Sequence, residues 1–252
     1  MTHPFVVGRG STHVLVLHGW FGCAQAWKPI FDILDGERFT FAFVDYRGYG
    51  TRLGEHGEFT MDEIARDTLA IADGLGWDRF DLVGHSMGGK AIQRVLVQAP
   101  QRVRRMVAIT PVPATGVPFD DGGWALFSGA VERLESRRDI IAFSTGGRLS
   151  AHWSMQLAQE SVRNSTREAF GAYLQSWARG DFSAEVMGHP VPVKVIIGER
   201  DPSLTADVMR ATWLAHYPNA TLEVIGNAGH YPMDETPVAL VTAMESFLAS
   251  AA

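Results

Sequence analysis

Short apolar runs alternate with helical patterns along this 252-residue chain, and that alternation restricts the fold more than any other feature. Runs rich in β-branched and aromatic residues recur at His13 to His18, Phe39 to Asp45, Phe80 to Val83, Arg105 to Thr110, Val193 to Gly198 and Thr221 to Ile225. Each reads as a buried strand. The clearest helical pattern is Thr60 to Leu75, where Thr60 and Glu63 form a capping box and Ile64, Thr68, Ile71 and Leu75 share one face. Another starts at Thr236, with Pro237 as its first helical residue, and runs to the C-terminus. Strand and helix in repeated succession predict an α/β fold: a mostly parallel central sheet with helices on both faces.

The alternation stops between about Val112 and Gly188, where no strand pattern is convincing and Trp124, Phe127, Trp153, Phe170 and Trp177 accumulate. This stretch reads as a helical insertion. Pro111, Pro113 and Pro118 open it and Pro190 and Pro192 close it, which marks the hinges. The chain thus divides into a core, 1–111 and 189–252, and a helical cap, 112–188. No internal repeat or low-complexity tract is present.

Composition narrows the function classes. At 46% hydrophobic and 20% charged the chain resembles ordinary globular proteins, and its length suffices to bury a core without disulfides or metals. A formal net charge of -6 with no long basic run argues against nucleic acid or anionic lipid as partner. The single cysteine, Cys23, leaves no intrachain disulfide and no thiolate cluster for zinc or iron-sulfur. Met1, Thr2, His3 and Pro4 do not begin a signal-peptide pattern, and no apolar stretch reaches membrane-spanning length, so a cytoplasmic protein is expected. Gly8-Arg9-Gly10 precedes a strand instead of following one, which argues against a dinucleotide-binding turn.

Chemistry concentrates at Gly84-His85-Ser86-Met87-Gly88, between the run Phe80 to Val83 and a helical run through Lys90, Ile92, Val95 and Leu96. In a strand-to-helix turn of this kind the serine is held strained with Oγ pointing out of the sheet, and small residues on either side let the two elements approach. The pentapeptide alone is weak in a chain with 26 glycines, and its bland reading is a glycine turn; the flanking strand and helix raise it to a nucleophile candidate.

A serine hydroxyl needs a base, and the base a carboxylate. Among nine histidines, His230 stands in the loop Asn227-Ala228-Gly229-His230-Tyr231-Pro232 between the last strand and the last helix. His3 and His56 read as surface residues, His216 falls late in a helix and His152 lies in the insertion. The acid is expected between Ser86 and His230 in chain order. Gly198-Glu199-Arg200-Asp201-Pro202 ends a strand, making Asp201 the choice and Glu199 its competitor, with Asp181 and Asp207 left as surface charges. Backbone N–H donors for a developing oxyanion are available at Met87 and, in His18-Gly19-Trp20-Phe21-Gly22, at Trp20.

Ser86, Asp201 and His230, together with His18-Gly19 and the turn around Ser86, are similar to the α/β-hydrolase family over nearly the whole chain, and Asp45-Tyr46-Arg47-Gly48-Tyr49-Gly50 resembles a further turn of that family. The resemblance implies an eight-stranded, mostly parallel sheet with a cap; few residues precede His13, so one of the first antiparallel strands is expected to be shortened or missing. It also implies a serine hydrolase forming an acyl-enzyme without a cofactor. Relatives that open epoxides or remove halogens carry a nucleophilic aspartate where this chain has Ser86. Those that hydrolyse carbon-carbon bonds tend to carry tryptophan after the histidine, where this chain has Tyr231.

Cleavage of a carboxylic ester of a small hydrophobic substrate is therefore the leading expectation. Lactone, thioester or amide cleavage stands beside it, as do perhydrolase or lyase chemistry and a ligand-binding pseudoenzyme. Phe21, Trp124, Phe127, Trp153, Trp177 and Tyr231 are candidates for an apolar substrate pocket, although the aromatic residues of the insertion read equally well as its own core. Arg133, Arg137, Arg138 and Arg163 read as a solvated face with an anion-holding role as the alternative.

Overall fold

The computed structural model describes residues 4–250. Seven strands form one sheet: β1 (Phe5–Gly8), β2 (Thr12–Leu17), β3 (Phe39–Val44), β4 (Phe80–His85), β5 (Val103–Ile109), β6 (Val193–Gly198) and β7 (Ala220–Ile225), in the order β1-β3-β2-β4-β5-β6-β7. β1 runs antiparallel to β3 and every other pair is parallel. Among the described residues the sheet thus has seven strands where the family resemblance implied eight, with a single antiparallel strand at its edge. Phe5 and Val6 are 43% and 44% exposed, so β1 lacks the burial that makes β2 to β6 visible as apolar runs.

Helices α1 (Met61–Gly74) and α2 (Met87–Gln98) follow β3 and β4. Thr60 caps α1 by accepting the Glu63 N–H at 3.2 Å, as a capping box requires. The reciprocal bond is different: the Glu63 carboxylate accepts the N–H groups of Glu58 and Phe59, at 3.0 and 2.9 Å, and so ties down the loop that enters the helix.

Between β5 and β6 come five helices, α3 (Asp121–Gly129), α4 (Leu134–Ser144), α5 (Ala151–Arg163), α6 (Arg167–Arg179) and α7 (Ser183–Val186), with an isolated bridge from Ser165 to Tyr49. The chain closes with α8 (Ala206–Ala211), α9 (Trp213–His216), α10 (Pro232–Glu235) and α11 (Pro237–Leu248), the last starting at Pro237 as its sequence predicts. Apolar residues of the strands divide between the two faces of the sheet. Leu15, Leu17, Leu82 and Val195 pack on one side with α1 and α2, and Val14, Val16, Val83 and Ile196 on the other with α11. No helix among the described residues is long and apolar enough to cross a membrane.

Candidate active site

The carboxyl ends of β2, β4, β6 and β7 open toward one edge of the sheet, where open parallel sheets place ligands. β4 ends at His85 and α2 begins at Met87, leaving Ser86 alone to reverse the chain, with φ 55° and ψ -115°. That conformation is costly for a residue with a Cβ and persists only where its surroundings fix it. Here the Ser86 N–H donates to Ile109 O at 3.0 Å, and Ser86 O accepts from Gly89 and Val112 at 2.9 and 3.0 Å. The flanking glycines are demanded by contact. A Cβ at Gly84 would stand 2.4 Å from Gly88 O, and one at Gly88 would stand 2.4 Å from Leu17 O. As first residue of α2, Met87 has an N–H with no acceptor inside the helix.

The turn after β2 lies against Ser86. A Cβ added at Gly19 would come within 3.2 Å of the Ser86 Cβ and 2.7 Å of His85 Nδ1, so backbone alone fits there. The turn is held from below by the Asp45 to Gly50 segment: Tyr46 Oη donates to His18 O at 2.8 Å and Tyr49 Oη to Trp20 O at 3.0 Å. Asp45 anchors that segment in turn by accepting from Ala24 N–H, Thr51 N–H and Thr51 Oγ1 at 2.7 to 2.8 Å. These supports were visible in the sequence only as a family-like turn.

Asp201 follows β6 and is 3% exposed. One carboxylate oxygen accepts the N–H groups of Ser203 and Leu204 at 2.9 and 3.0 Å; the other accepts from His230 Nδ1 at 2.6 Å. Burial pushes the Asp201 carboxyl up, but the His230 ring and the two N–H groups outweigh it and hold the group below its ordinary value, ionised at neutral pH. A carboxylate only accepts, so Nδ1 carries the proton and Nε2 of the neutral ring keeps its lone pair. Glu199 points elsewhere: it accepts the Asn227 N–H at 3.3 Å and pairs with Arg200 on the surface.

His230 is fixed by its backbone. Its N–H donates to Ser144 O at 3.1 Å, and its carbonyl accepts from His85 Nε2 and Thr110 Oγ1 at 2.8 and 3.1 Å. Glu235, whose side chain is 1% exposed, accepts the N–H groups of Gly229 and Tyr231 at 2.8 and 2.9 Å and pairs with Arg148. Sequence reasoning passed over Glu235, although its position five residues after His230, in the first turn of a short helix, was the available signal.

His85 and His18 are both buried and uncharged. Burial, with His230 adding to it, lowers His85 to about 3; burial against the opposing pull of Asp45 lowers His18 to about 4. Among the other histidines, His56 and His152 are exposed, His216 ends α9 and is buried, and His3 lies outside the described residues.

Ser86, His230, His18, Gly19, Trp20, Phe21, His85 and Tyr231 line one narrow cavity, completed by Gly22, Ala26, Trp27, Leu157, Met233 and Asp234. Of the predicted pocket residues Phe21 and Tyr231 are therefore at the cavity, while Trp124, Phe127, Trp153 and Trp177 are not among its lining. Trp153 packs edge-on behind Tyr231 at 5.6 Å. Phe127 and Trp177 pack with Trp20 and Phe119, and Trp124 carries the Arg179 guanidinium 3.9 Å from its ring; Trp177 is buried, whereas Phe127 and Trp124 are partly exposed at the edge of the helical layer. Arg137 is buried, donating to Ala130 O and Ser161 Oγ; Arg138 pairs with Asp139 and Arg163 lies near Glu160. Among the described residues no group of three or more His, Cys, Asp or Glu side chains is placed to hold a metal ion.

The model of the alpha/beta hydrolase fold family matches residues 12–237, nine-tenths of the chain. The chain belongs to the α/β-hydrolase fold family. Among curated relatives of this α/β-hydrolase is a pimeloyl-[acyl-carrier protein] methyl ester esterase of Serratia marcescens, 26% identical over 257 residues that cover 97% of this chain and 96% of the relative. Another is a 2-hydroxymuconate semialdehyde hydrolase of Pseudomonas sp. (strain CF600), 28% identical over 214 residues, 81% of this chain and 74% of the relative. Among solved structures, an esterase from Exiguobacterium antarcticum superposes with a TM-score of 0.86 at 17% identity, covering 98% of this chain and 94% of the other, a likeness of fold.

Proposed function

We propose that this α/β-hydrolase cleaves carboxylic esters through Ser86 as nucleophile, His230 as general base and Asp201 as the carboxylate that orients the ring. The observation that carries the reading is a serine at φ 55° on a strand-to-helix turn, sharing a cavity with a histidine whose Nδ1 lies 2.6 Å from a buried carboxylate. With Nδ1–H committed to Asp201, Nε2 takes the Ser86 proton as Oγ attacks the acyl carbonyl. The N–H groups of Met87 and Trp20 receive the charge that develops on the carbonyl oxygen. His230 then protonates the leaving alcohol, and water releases the acid from the acyl-enzyme by the same route. Nothing in these steps calls for a cofactor.

The lining supports a small, largely apolar substrate: Trp20, Phe21, Trp27, Leu157, Tyr231 and Met233 surround the reacting groups. Residues 112–188 are read as a cap on the core 1–111 and 189–252, supported by Leu157 of α5 at the cavity and by Phe170 of α6, whose carbonyl accepts from Trp20 Nε1 at 2.8 Å. Methyl ester hydrolysis by the Serratia relative supports the bond type.

The test is hydrolysis of p-nitrophenyl butyrate by wild type and by Ser86→Ala. The reading requires that the folded variant lose at least about a thousandfold in kcat. Retention of turnover within tenfold would remove it.

A further inference from the structure

Lys90 lies one turn after Met87 in α2 and is fully buried, and the mechanism does not use it. Its ammonium is met by backbone. Nζ donates to two carbonyls at the C-terminal end of α6, Trp177 O at 3.0 Å and Gly180 O, and stands 5.5 Å from the centre of the Phe182 ring. Asp181, the carboxylate that attracts it, is exposed. Burying an ammonium in this way is costly, and a methionine of similar length would fill the same space without that cost. What the charge supplies is a partner for carbonyls that a helix end leaves open and for the negative end of the helix dipole. Burial lowers Lys90 to about 8, against the opposing pull of Asp181, so the ammonium persists at neutral pH.

The same helix holds the other half of the oxyanion site. Phe170 O accepts from Trp20 Nε1 at 2.8 Å, the Phe170 ring stacks on the Trp20 ring at 3.9 Å, and the Trp177 ring meets it edge-on at 5.5 Å. Trp177 therefore touches both halves: its ring rests on Trp20, and its carbonyl is held by the helix that starts at Met87. We propose that Lys90 is a positioning residue for the oxyanion site, fastening the end of α6 to α2 so that the Trp20 and Met87 N–H groups keep the separation a developing oxyanion needs. This rests on the ester-hydrolase reading. Such donors act because they are placed before the charge appears, and a displacement of about 1 Å can cost about a hundredfold in rate. Other bonds at this end of α6 do not replace Lys90. Ala178 O accepts from the Val117 N–H at 2.9 Å and Ser176 Oγ from the Met61 N–H at 3.0 Å, and neither donor belongs to α2.

The experiment compares p-nitrophenyl butyrate with its thiono analogue, in which sulfur replaces the carbonyl oxygen and accepts poorly from N–H donors. In Lys90→Met, kcat for the oxo ester is expected to fall by about tenfold or more with KM within about threefold, and the oxo-to-thiono ratio of kcat to fall with it. A folded Lys90→Met with wild-type kcat overturns the inference. So does a lower kcat at an unchanged ratio, which is what a merely structural role would give. Should Lys90→Met fail to fold, Trp20→Phe cuts the brace at its other end by removing the indole donor to Phe170 O; the ratio is expected to fall there too, and an unchanged ratio overturns the inference. Binding of 1,1,1-trifluoropentan-2-one, followed by fluorine NMR, separates this inference from the one beneath it. Ser86 Oγ adds to the ketone carbon, its proton passes to His230, and the carbonyl oxygen becomes the anion that the two N–H groups hold. No adduct in wild type overturns the ester-hydrolase reading and this inference with it. An adduct equally tight in Lys90→Met overturns this inference alone, and one weakened by about tenfold or more supports it.

Discussion

Replacing Asp201 by Asn tests the orientation of the base with little change in shape. The Asn side-chain oxygen can still accept the N–H groups of Ser203 and Leu204, at present 2.9 and 3.0 Å from Asp201, so the loop after β6 keeps its anchors. What changes is the group facing His230 Nδ1 at 2.6 Å, which becomes an N–H₂ donor. Two donors cannot face one another, so the neutral ring must hold its proton on Nε2, and Nε2 then has no lone pair for the Ser86 proton. Where a triad aspartate has been amidated with geometry intact, the loss is about 10⁴-fold in kcat, or about 5.4 kcal/mol of transition-state stabilisation. The same loss is expected here at pH 7.5 with p-nitrophenyl butyrate, with circular dichroism and a melting curve to show that the variant is folded. Glu199→Gln, altering the surface carboxylate two residues earlier, should stay within about twofold of wild type. A folded Asp201→Asn variant that loses less than tenfold, or a Glu199→Gln variant that loses as much, refutes the assignment.

Other consequences follow from the same geometry. His85 and His18, lowered to about 3 and about 4, are neutral in the folded chain near pH 5 but protonated when unfolded, so unfolding there takes up close to two protons from them. The two rings make stability against urea decline as pH falls from about 6.5 toward 4, while Asp234, raised to about 7 by burial, takes up a proton in the folded chain and opposes them; in Asp234→Asn the decline should be steeper than in wild type, and a flat profile in that variant would contradict the burial of both rings. Gly84→Ala places a methyl 2.4 Å from Gly88 O inside the turn that carries Ser86; it should cost more than about 2 kcal/mol in urea unfolding and abolish activity together with it. Glu235→Ala removes the acceptor of the Gly229 and Tyr231 N–H groups and the partner of Arg148, and is expected to destabilise by about 2 to 4 kcal/mol and to lower kcat by tenfold or more through a loosened His230. An Ala variant with wild-type kcat would show that this loop needs no such support.

β2 to β6 were legible because parallel strands buried on both faces must be nearly continuous in apolar residues, and β2 and β6 match their predicted runs to within a residue; β7, an edge strand with only Ile225 buried, was legible from its β-branched Thr221, Val224 and Ile225. β1 was not, since four residues with Phe5 and Val6 half exposed carry neither a run nor an alternation. The turn at Ser86 was legible from its neighbours, because only glycine fits where Gly84 meets the Gly88 backbone and Gly88 meets Leu17. Pairing Asp201 with His230 across 29 positions needed the family pattern to choose it over Glu199; local sequence alone offered two carboxylates at the same strand end. The aromatic residues between β5 and β6 show the limit. Composition marks Phe127 and Trp177 as apolar contacts, but whether such a ring faces a substrate or another ring depends on how α3 and α6 meet, which a linear pattern does not encode.

Intact-mass analysis after exposure to a p-nitrophenyl alkylphosphonate, followed by peptide mapping, tests the central claim most directly. The account predicts one adduct per chain, carried by the peptide containing Ser86, absent in Ser86→Ala and slowed strongly in His230→Ala. An adduct on another residue, or equal labelling after Ser86 has been replaced, would contradict it.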